Sequence, residues 1–167
     1  FPTRRSSDLN HNPGQIELLE QALGEKLLID QLQMSVAHCP LIDAGLNVNI
    51  ENDRAADRGG DILNYCMLHK MTVQAWSPFQ YGMFQGTFLG NEKFPALNAE
   101  INALAEKYGV TPNAVAVAWL LRHPAKIQAV VGTTNARRLE GICRAGAVTL
   151  TRQEWYGLYL AAGKALP

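Results

Sequence analysis

Three short apolar segments alternate with helical patterns along the chain, and this alternation limits the fold more than any other feature. The segments occupy residues 27–34, 72–77 and 127–131, and stretches with helical spacing of apolar residues lie between them and on both sides. Short buried strands joined through helices form parallel sheets with right-handed crossovers. Both faces of such a sheet need cover, and three strands cannot close a (β/α)8 barrel. The sequence therefore predicts an α/β fold with about three strands and their helices, as one part of a larger domain.

Capping residues mark the ends of several predicted helices. Asn12 and Pro13 fit the start of a helix in which Gln15 completes a capping box, and Gly24 suits its end. Residues 39–58 are polar and rich in Asn and Asp, which predicts a long loop with at most one helical turn. Further helices are predicted over residues 60–70, 95–108, 112–122, 136–146 and 152–162.

The first nine residues differ in character from the rest. They read F-P-T-R-R-S-S-D-L, have no hydrophobic period and join abruptly to the first helix signal. The same string is the translation of the end of a common sequencing adapter. Because such additions should not enter fold reasoning, we interpret residues 1–9 as non-native and residues 10–167 as part of a larger domain. A natural polar tail is the alternative.

Composition excludes several classes of function. The 167 residues include 15 Lys and Arg against 15 Asp and Glu, so no basic surplus favours nucleic acid or an anionic membrane. The longest apolar run, residues 114–121, is too short to span a bilayer. Three widely spaced cysteines argue against a disulfide scaffold and a zinc site, and they favour a cytoplasmic protein. Membrane-spanning, disulfide-rich and fibrous classes are therefore excluded.

Two junctions between a strand and a helix have the chemistry of an anion site. Residues 76–80 read W-S-P-F-Q and precede a loop with three glycines spaced four apart, and residues 132–135 read G-T-T-N and precede Arg137 and Arg138. Glycine lets backbone amides approach a phosphate, hydroxyls donate to it, and a guanidinium matches its geometry. An ordinary turn with an Asn N-cap and two solvated arginines is the alternative. The sequence contains no G-x-G-x-x-G or Walker A motif and no metal-ligand spacing.

The order and spacing of five segments resemble the C-terminal half of the aldo/keto reductase family. Residues 10–19 (N-H-N-P-G-Q-I-E-L-L) are similar to the family segment after the fifth barrel strand, and residues 31–35 (Q-L-Q-M-S) to the sixth strand. Residues 75–79 (A-W-S-P-F) are similar to the seventh strand, and residues 131–140 (V-G-T-T-N-A-R-R-L-E) to the eighth. The helix from Thr151 is similar to the C-terminal helix. This resemblance over residues 10–164 implies the C-terminal half of a (β/α)8 TIM barrel.

The resemblance also implies a nicotinamide cofactor, NADP(H), and the positions that would hold it. Asn10 and Gln31 would hold the nicotinamide carboxamide, and Trp76 would stack on the nicotinamide ring. Ser77 and Phe79 would lie with the glycine loop along the pyrophosphate. Contacts to the adenosine 2′-phosphate, which favour NADPH over NADH, are implied for Gly132, Thr133, Thr134 and Arg138.

The chain departs from the family's pattern in two segments. Leu9 stands where the family has Ser, as expected if residues 1–9 are non-native. Gly141 and Ile142 replace the usual Glu-Asn pair near the adenine, so the polar side chains of that contact are missing here.

No catalytic residue of this chain follows from the resemblance. The family reduces aldehydes and ketones by hydride transfer, and a Tyr, a Lys, an Asp and a His from the first half of the barrel complete its catalytic set. We therefore expect this chain alone to be inactive. We also expect it to be poorly stable, because half a barrel leaves strand edges unpaired and an apolar sheet face exposed.

The residues leave two other functions open. One is a non-catalytic, nicotinamide-binding regulatory subunit on the same fold, and the other is a phosphate-binding βα-barrel lyase or isomerase, since fold alone does not determine function. Apart from a small carbonyl substrate, the sequence predicts no partner, and it does not predict an oligomeric state.

Overall fold

Four parallel strands, in the order of the chain, form the sheet. The computed structural model describes residues 7–167, with strands β1 (Ser7–Leu9), β2 (Ile29–Gln33), β3 (Thr72–Trp76) and β4 (Gln128–Val130). Each neighbouring pair is parallel. An order without reversal is that of a barrel segment, because doubly wound sheets reverse direction at a switch point. The predicted partial barrel is thereby confirmed for β2, β3 and β4.

Helices fill the crossovers between the strands. Within residues 7–167 no helix is long and apolar enough to cross a membrane, and in the same range no group of three His, Cys, Asp or Glu side chains could hold a metal ion. The helices are α1 (Pro13–Leu23), α2 (Pro40–Leu46), α3 (Ile62–Leu68), α4 (Pro95–Tyr108), α5 (Pro112–Leu121), α6 (Ala136–Cys143) and α7 (Arg152–Ala161), with short 3-10 turns at Asp53–Ala55 and Arg144–Ala147.

The residues predicted to cap α1 and α7 do so in the structure. The Gln15 amide donates to Asn12 Oδ1 at 3.0 Å, and the Asn12 amide donates to Gln15 Oε1 at 2.9 Å. Gly24 ends α1 in the left-handed conformation, with φ of 70°. The Thr151 and Glu154 pair forms the same reciprocal box at the start of α7. Local sequence therefore determines where these helices begin and end.

One face of the sheet packs on helices and the other carries amides. Leu32, Val73 and Ala75 are buried in the core on the helix side. Gln31, Gln74 and Gln128 lie side by side on the opposite face, in register across β2, β3 and β4. We call this second surface, which also carries Trp76, the open face. The expected exposed apolar side chains are present on this face, as Leu9 and Val130 show, but three glutamines also form a polar row across it.

The prediction of a long loop with at most one helical turn over residues 39–58 was wrong in part, because these residues contain the two-turn helix α2. Pro40 at its first turn favours a helix start, but seven residues are too few to show a helical period. Tertiary contacts stabilise it: the buried Asp43 carboxylate accepts hydrogen bonds from Tyr159 at 2.8 Å and from Lys164 at 2.7 Å.

Strand β1 was not predicted, since residues 1–9 were interpreted as non-native. Ser7, Asp8 and Leu9 pair with Ile29, Asp30 and Gln31 of β2. The pairing is between backbone groups, which every residue type has, so it does not test whether the segment is native. That interpretation stays a prediction, and residues 1–6 lie outside the described residues.

Two tryptophans join α5 to α7. The indole N–H of Trp155 donates to the Trp119 carbonyl at 2.9 Å, and the indole N–H of Trp119 donates to the Trp155 carbonyl at 3.0 Å. The rings stack with centroids 4.7 Å apart. Both buried donors are satisfied, so the pair adds apolar burial without the cost of an unpaired polar group.

Glu154 provides a pH-dependent contact between α4 and α7. Its carboxylate accepts hydrogen bonds from Lys107 at 2.6 Å, from Tyr108 at 2.8 Å and from the Thr151 amide at 2.7 Å. Burial raises the pKa of this carboxyl, but the hydrogen bonds from Lys107, Thr151 and Tyr108 outweigh it and lower the pKa from 4.5 to about 2.

Because the folded-state pKa of Glu154 is depressed, its contribution to stability is full above about pH 5 and is lost as the pH falls towards 2. We expect Glu154→Gln to lower the free energy of unfolding by about 1–3 kcal/mol at pH 7 and by much less at pH 3. Urea denaturation at both pH values measures this. Glu106→Gln, on the exposed side of α4, is the control, and an equal loss at pH 3 and pH 7 for Glu154→Gln would contradict the assignment.

Candidate active site

The predicted cofactor residues gather at the carboxyl edge of the sheet. Asn10 follows β1, Gln31 lies in β2, Trp76 ends β3, and Gly132 comes two residues after β4. The carboxyl ends of parallel strands lie at one edge, where ligands of barrel enzymes bind. Residues that are up to 122 positions apart in sequence are thereby brought to one side of the fold.

Asn10, Gln31 and Trp76 are joined directly by hydrogen bonds. The Trp76 indole N–H donates to Asn10 Oδ1 at 3.2 Å, and the backbone N–H of Asn10 donates to the backbone carbonyl of Gln31 at 2.9 Å. Asn10 has φ of 54°, a left-handed conformation that Asn tolerates better than most residues. The half-buried ring of Trp76 is therefore held in one orientation by the Asn10 side chain.

Gln74 and Gln128 extend this group into a row of amides on the open face. Gln31 Nε2 donates to Gln74 Oε1 at 2.9 Å, and Gln74 Nε2 donates to Gln128 Oε1 at 3.1 Å. Because the Gln31 NH2 group is used in this row, its carbonyl oxygen remains an acceptor for a ligand. Sequence reasoning missed Gln74 and Gln128. The signal was present as glutamines alternating with buried apolar residues in two strands.

The loop after β3 begins with a strained turn. Ser77 has φ of 50°, and its carbonyl accepts from the Gln80 amide at 3.0 Å. The hydroxyl of the buried Ser35 donates to the Gln80 carbonyl at 2.6 Å and ties this turn to the end of β2. Phe79 packs against the core, so its ring supports the loop instead of lying openly at the site.

Asn98 of α4 organises the rest of that loop, and sequence reasoning missed it too. Its Nδ2 donates to the carbonyls of Phe88 at 2.8 Å and Phe94 at 2.9 Å, and its Oδ1 accepts from the Gly90 amide at 2.8 Å. An asparagine in the first turn of a helix gives no sequence signal for this role. One side chain thus holds a seven-residue segment, residues 88–94, in a closed turn.

The residues after β4 form a separate, more exposed group. Thr133 Oγ1 accepts from the Asn135 amide at 3.2 Å, and Asn135 Oδ1 caps α6 by accepting from the Arg138 amide at 3.0 Å. Gly132, Thr134 and the Arg138 side chain are exposed. Within residues 7–167 the Arg138 guanidinium has no ion pair, so it is available to an anion beside the first turn of a helix.

A buried cluster of Tyr159, Asp43 and Lys164 contains residue types of the family's catalytic set but has a structural role. Tyr159 is fully buried, and both burial and the hydrogen bond to Asp43 raise the pKa of its hydroxyl. A hydroxyl that no substrate reaches, with its proton held more firmly than usual, is not a proton donor for a reaction. The cluster ties α7 and the C-terminal residues to α2.

Comparison with known proteins identifies relatives over nearly the whole chain. The model of the aldo/keto reductase family matches residues 10–158. The 6-dehydroglucose reductase of Agrobacterium fabrum is 35% identical over 157 residues, which cover 93% of this chain and 46% of that protein. A 6-dehydroglucose reductase of Novosphingobium aromaticivorans is 31% identical over 159 residues, which cover 95% and 46%. The chain therefore spans about half the length of the curated relatives it matches.

Solved structures show the same fold. An aldo-keto reductase of Bombyx mori in complex with NADP matches with a TM-score of 0.62 and 18% identity, over 92% of this chain and 43% of that chain. At this level of identity the likeness concerns the fold alone. The sheet and helices correspond to part of an aldo-keto reductase barrel, as the resemblance implied.

The contacts of Asn98 predict a local effect on the loop. Asn98→Ala leaves the Phe88 and Phe94 carbonyls without this donor, so we expect faster tryptic cleavage after Lys93 and a loss of about 1–3 kcal/mol in the free energy of unfolding. Mass spectrometry of timed digests locates the cleavage. Asn102→Ala, on an exposed position of the same helix, should cleave at the parental rate, and the same acceleration in both variants would count against the role of Asn98.

Proposed function

The chain belongs to the aldo/keto reductase family, and from this premise we propose that it carries the cofactor-binding part of an NADPH-dependent oxidoreductase that reduces aldehydes or ketones to alcohols. The observation that carries the proposal is the hydrogen-bonded group of Asn10, Gln31 and Trp76 at the carboxyl edge of the sheet. The residues that the resemblance assigned to one ring of the cofactor lie together there.

The geometry of this group fits a nicotinamide. A carboxamide needs an acceptor for its NH2 group and a donor for its oxygen. Gln31 Oε1 supplies an acceptor, since its own NH2 group is directed to Gln74, and the Asn10 NH2 group supplies a donor, since its oxygen is directed to Trp76. The indole of Trp76, fixed by Asn10, offers a flat apolar surface for a planar ring.

The group after β4 fits a phosphate that is not part of the pyrophosphate. Arg138 offers a planar guanidinium and Thr134 an exposed hydroxyl beside the start of α6. NADPH has such a phosphate on its adenosine and NADH does not, so this group supports a preference for NADPH. A related structure supports the same cofactor, since the Bombyx mori aldo-keto reductase was solved in complex with NADP.

The cofactor, when bound, supplies the hydride. In this proposal the residues of the chain bind and orient: Trp76 and the two amides set the position of the ring, and the row of glutamines restrains Gln31. The substrate class is a small carbonyl compound, and the relatives' name makes 6-dehydroglucose the first to test. No residue of this chain is assigned to proton transfer, and a cytoplasmic location stays a prediction.

Replacing Arg138 tests the cofactor preference. We expect Arg138→Ala to raise the Kd for NADPH about 10- to 100-fold, which is the effect of losing a charge-assisted contact to phosphate, and to leave the Kd for NADH unchanged. Quenching of tryptophan emission in titrations with each cofactor measures both values. Arg144→Ala, an exposed arginine beyond α6, is the control. An equal loss for NADPH and NADH would refute a contact to the 2′-phosphate.

Two further measurements test the proposal: one against a phosphate-binding lyase or isomerase, and one for catalysis by the chain alone. If NADPH quenches tryptophan emission and sugar phosphates do not, the result supports a reductase over a phosphate-binding lyase or isomerase. Quenching by sugar phosphates but not by NADPH overturns the proposal. Incubation of the chain with NADPH and 6-dehydroglucose tests whether catalysis needs residues beyond it. We expect no oxidation of NADPH, and turnover by the purified chain would show that its own residues complete the catalytic set.

A further inference from the structure

A cavity of about 440 Å³ opens among the helices that cover the sheet. Its walls come from α2, α3, the end of α5 and the first turns of α7. Among the described residues that line it, none belongs to the group proposed for the cofactor. The volume is in the range of small-molecule sites, so the cavity is a second candidate site on this chain.

Two walls of this cavity belong to helices that join inner strands of the sheet. A parallel sheet grows by adding strands at its edges, and the edge strands of the described sheet are β1 and β4. The helices α2 and α3 both lie in the connection between the inner strands β2 and β3. Strands added at these edges would therefore leave the α2 and α3 walls in place.

The cavity has a rigid aromatic wall. Trp155 cannot turn easily, because its ring stacks on Trp119 and the two indoles exchange hydrogen bonds with each other's carbonyls. Tyr156 meets the Trp155 ring edge-on, with centroids 5.0 Å apart. Leu46 and Met67 contribute further apolar surface. Trp155 is 6% exposed and also stacks on Tyr159, so it fixes the wall. The half-buried Tyr156 offers a flat ligand the larger ring surface without ordering new side chains.

Hydrogen-bond donors and positive charge surround this wall. Arg152 lies with its guanidinium carbon 5.7 Å from the Tyr156 ring centroid, and Arg122 uses Nε to hold the Leu150 carbonyl, which leaves its terminal nitrogens for a ligand. His123 Nδ1 accepts from the Ala125 amide at 3.2 Å. Burial lowers the pKa of His123, so near pH 7 the ring is neutral and its Nε2 carries the proton as a donor.

Negative charge at the cavity is limited. Asp61 is the one carboxylate among the described lining residues, and its Oδ1 accepts from Asn64 Nδ2 at 2.7 Å. Two arginines against one aspartate give the lining an excess of positive charge. A ligand with an aromatic ring and an anionic group would match both the aromatic wall and the positively charged residues of the cavity.

From this juxtaposition we propose that the cavity between α2, α3, α5 and α7 binds a small planar aromatic carboxylate, with its ring against Trp155 and Tyr156 and its carboxylate toward Arg122 and Arg152. The site is independent of the proposed function, since it shares no residue with the cofactor group. It is a binding site and includes no chemical step.

The test compares 2-naphthoate with 2-naphthamide, which has the same ring and no charge, by isothermal titration calorimetry on the full chain at pH 7. We expect naphthoate to bind at least about tenfold more tightly than the amide, as one charge-assisted contact requires. Equal affinity of the two, or no binding of naphthoate, overturns the proposal.

Gly45 allows the cavity to be filled deliberately. It lines the cavity, and a Cβ built on it meets no atom within 4 Å. Gly45→Leu should therefore fold and abolish naphthoate binding. Gly146→Leu is the matched control, because its Cβ also meets no atom within 4 Å and the residue lies outside the cavity. Naphthoate binding that survives Gly45→Leu unchanged overturns the location.

Arg152→Ala provides a second variant that does not change α2. We expect it to weaken naphthoate about tenfold and to leave naphthamide unchanged, whereas Arg144→Ala should affect neither. An equal effect of Arg152→Ala on both probes overturns the assigned charge contact. Titration of each variant with NADPH separates this result from the proposed function, since cofactor binding should be unchanged whether or not the cavity binds naphthoate.

Discussion

The parallel register of β2, β3 and β4 is the constraint on which the rest of the structure depends. It aligns Gln31 with Gln74 and Gln74 with Gln128, so three amides separated by long crossovers can form one hydrogen-bonded row. It also makes the strands end at one edge, where Asn10 and Trp76 meet. A slip of one residue in β3 would turn Gln74 and Trp76 toward the helices and place Val73 and Ala75 on the open face.

The two faces of the sheet differ because they have different partners. The helix side is a continuous apolar core, and several of its buried polar groups are paired, as with the reciprocal bonds of Trp119 and Trp155 and the contacts of Asp43. The open face relies on amide hydrogen bonds, which lower the cost of leaving a sheet without a covering layer. Such a face suits the interior of a larger barrel with a polar ligand near its carboxyl edge.

Positioning in this fold is carried out by residues that are inconspicuous in the sequence. Ser35 holds the turn after β3, and Asn98 holds the segment that follows it. Neither belongs to a motif, because each acts through backbone groups of distant residues. The cavity lined by Trp155 and Arg152 has the same origin, since it exists only where four helices leave a space between them.

The sequence by itself determined the alternation of strands and helices, the ends of α1 and α7 and the family, because periodicity, capping and motif order are local properties. The resemblance in the sequence also predicted Asn10, Gln31 and Trp76 as cofactor residues. Only the tertiary structure decided that these three are bonded together, that Gln74 and Gln128 continue the row, that α2 is helical, and that the tyrosine of the Tyr159, Asp43 and Lys164 cluster is buried. Those outcomes depend on contacts between residues far apart in the chain, and pairing at that distance leaves no local pattern to detect.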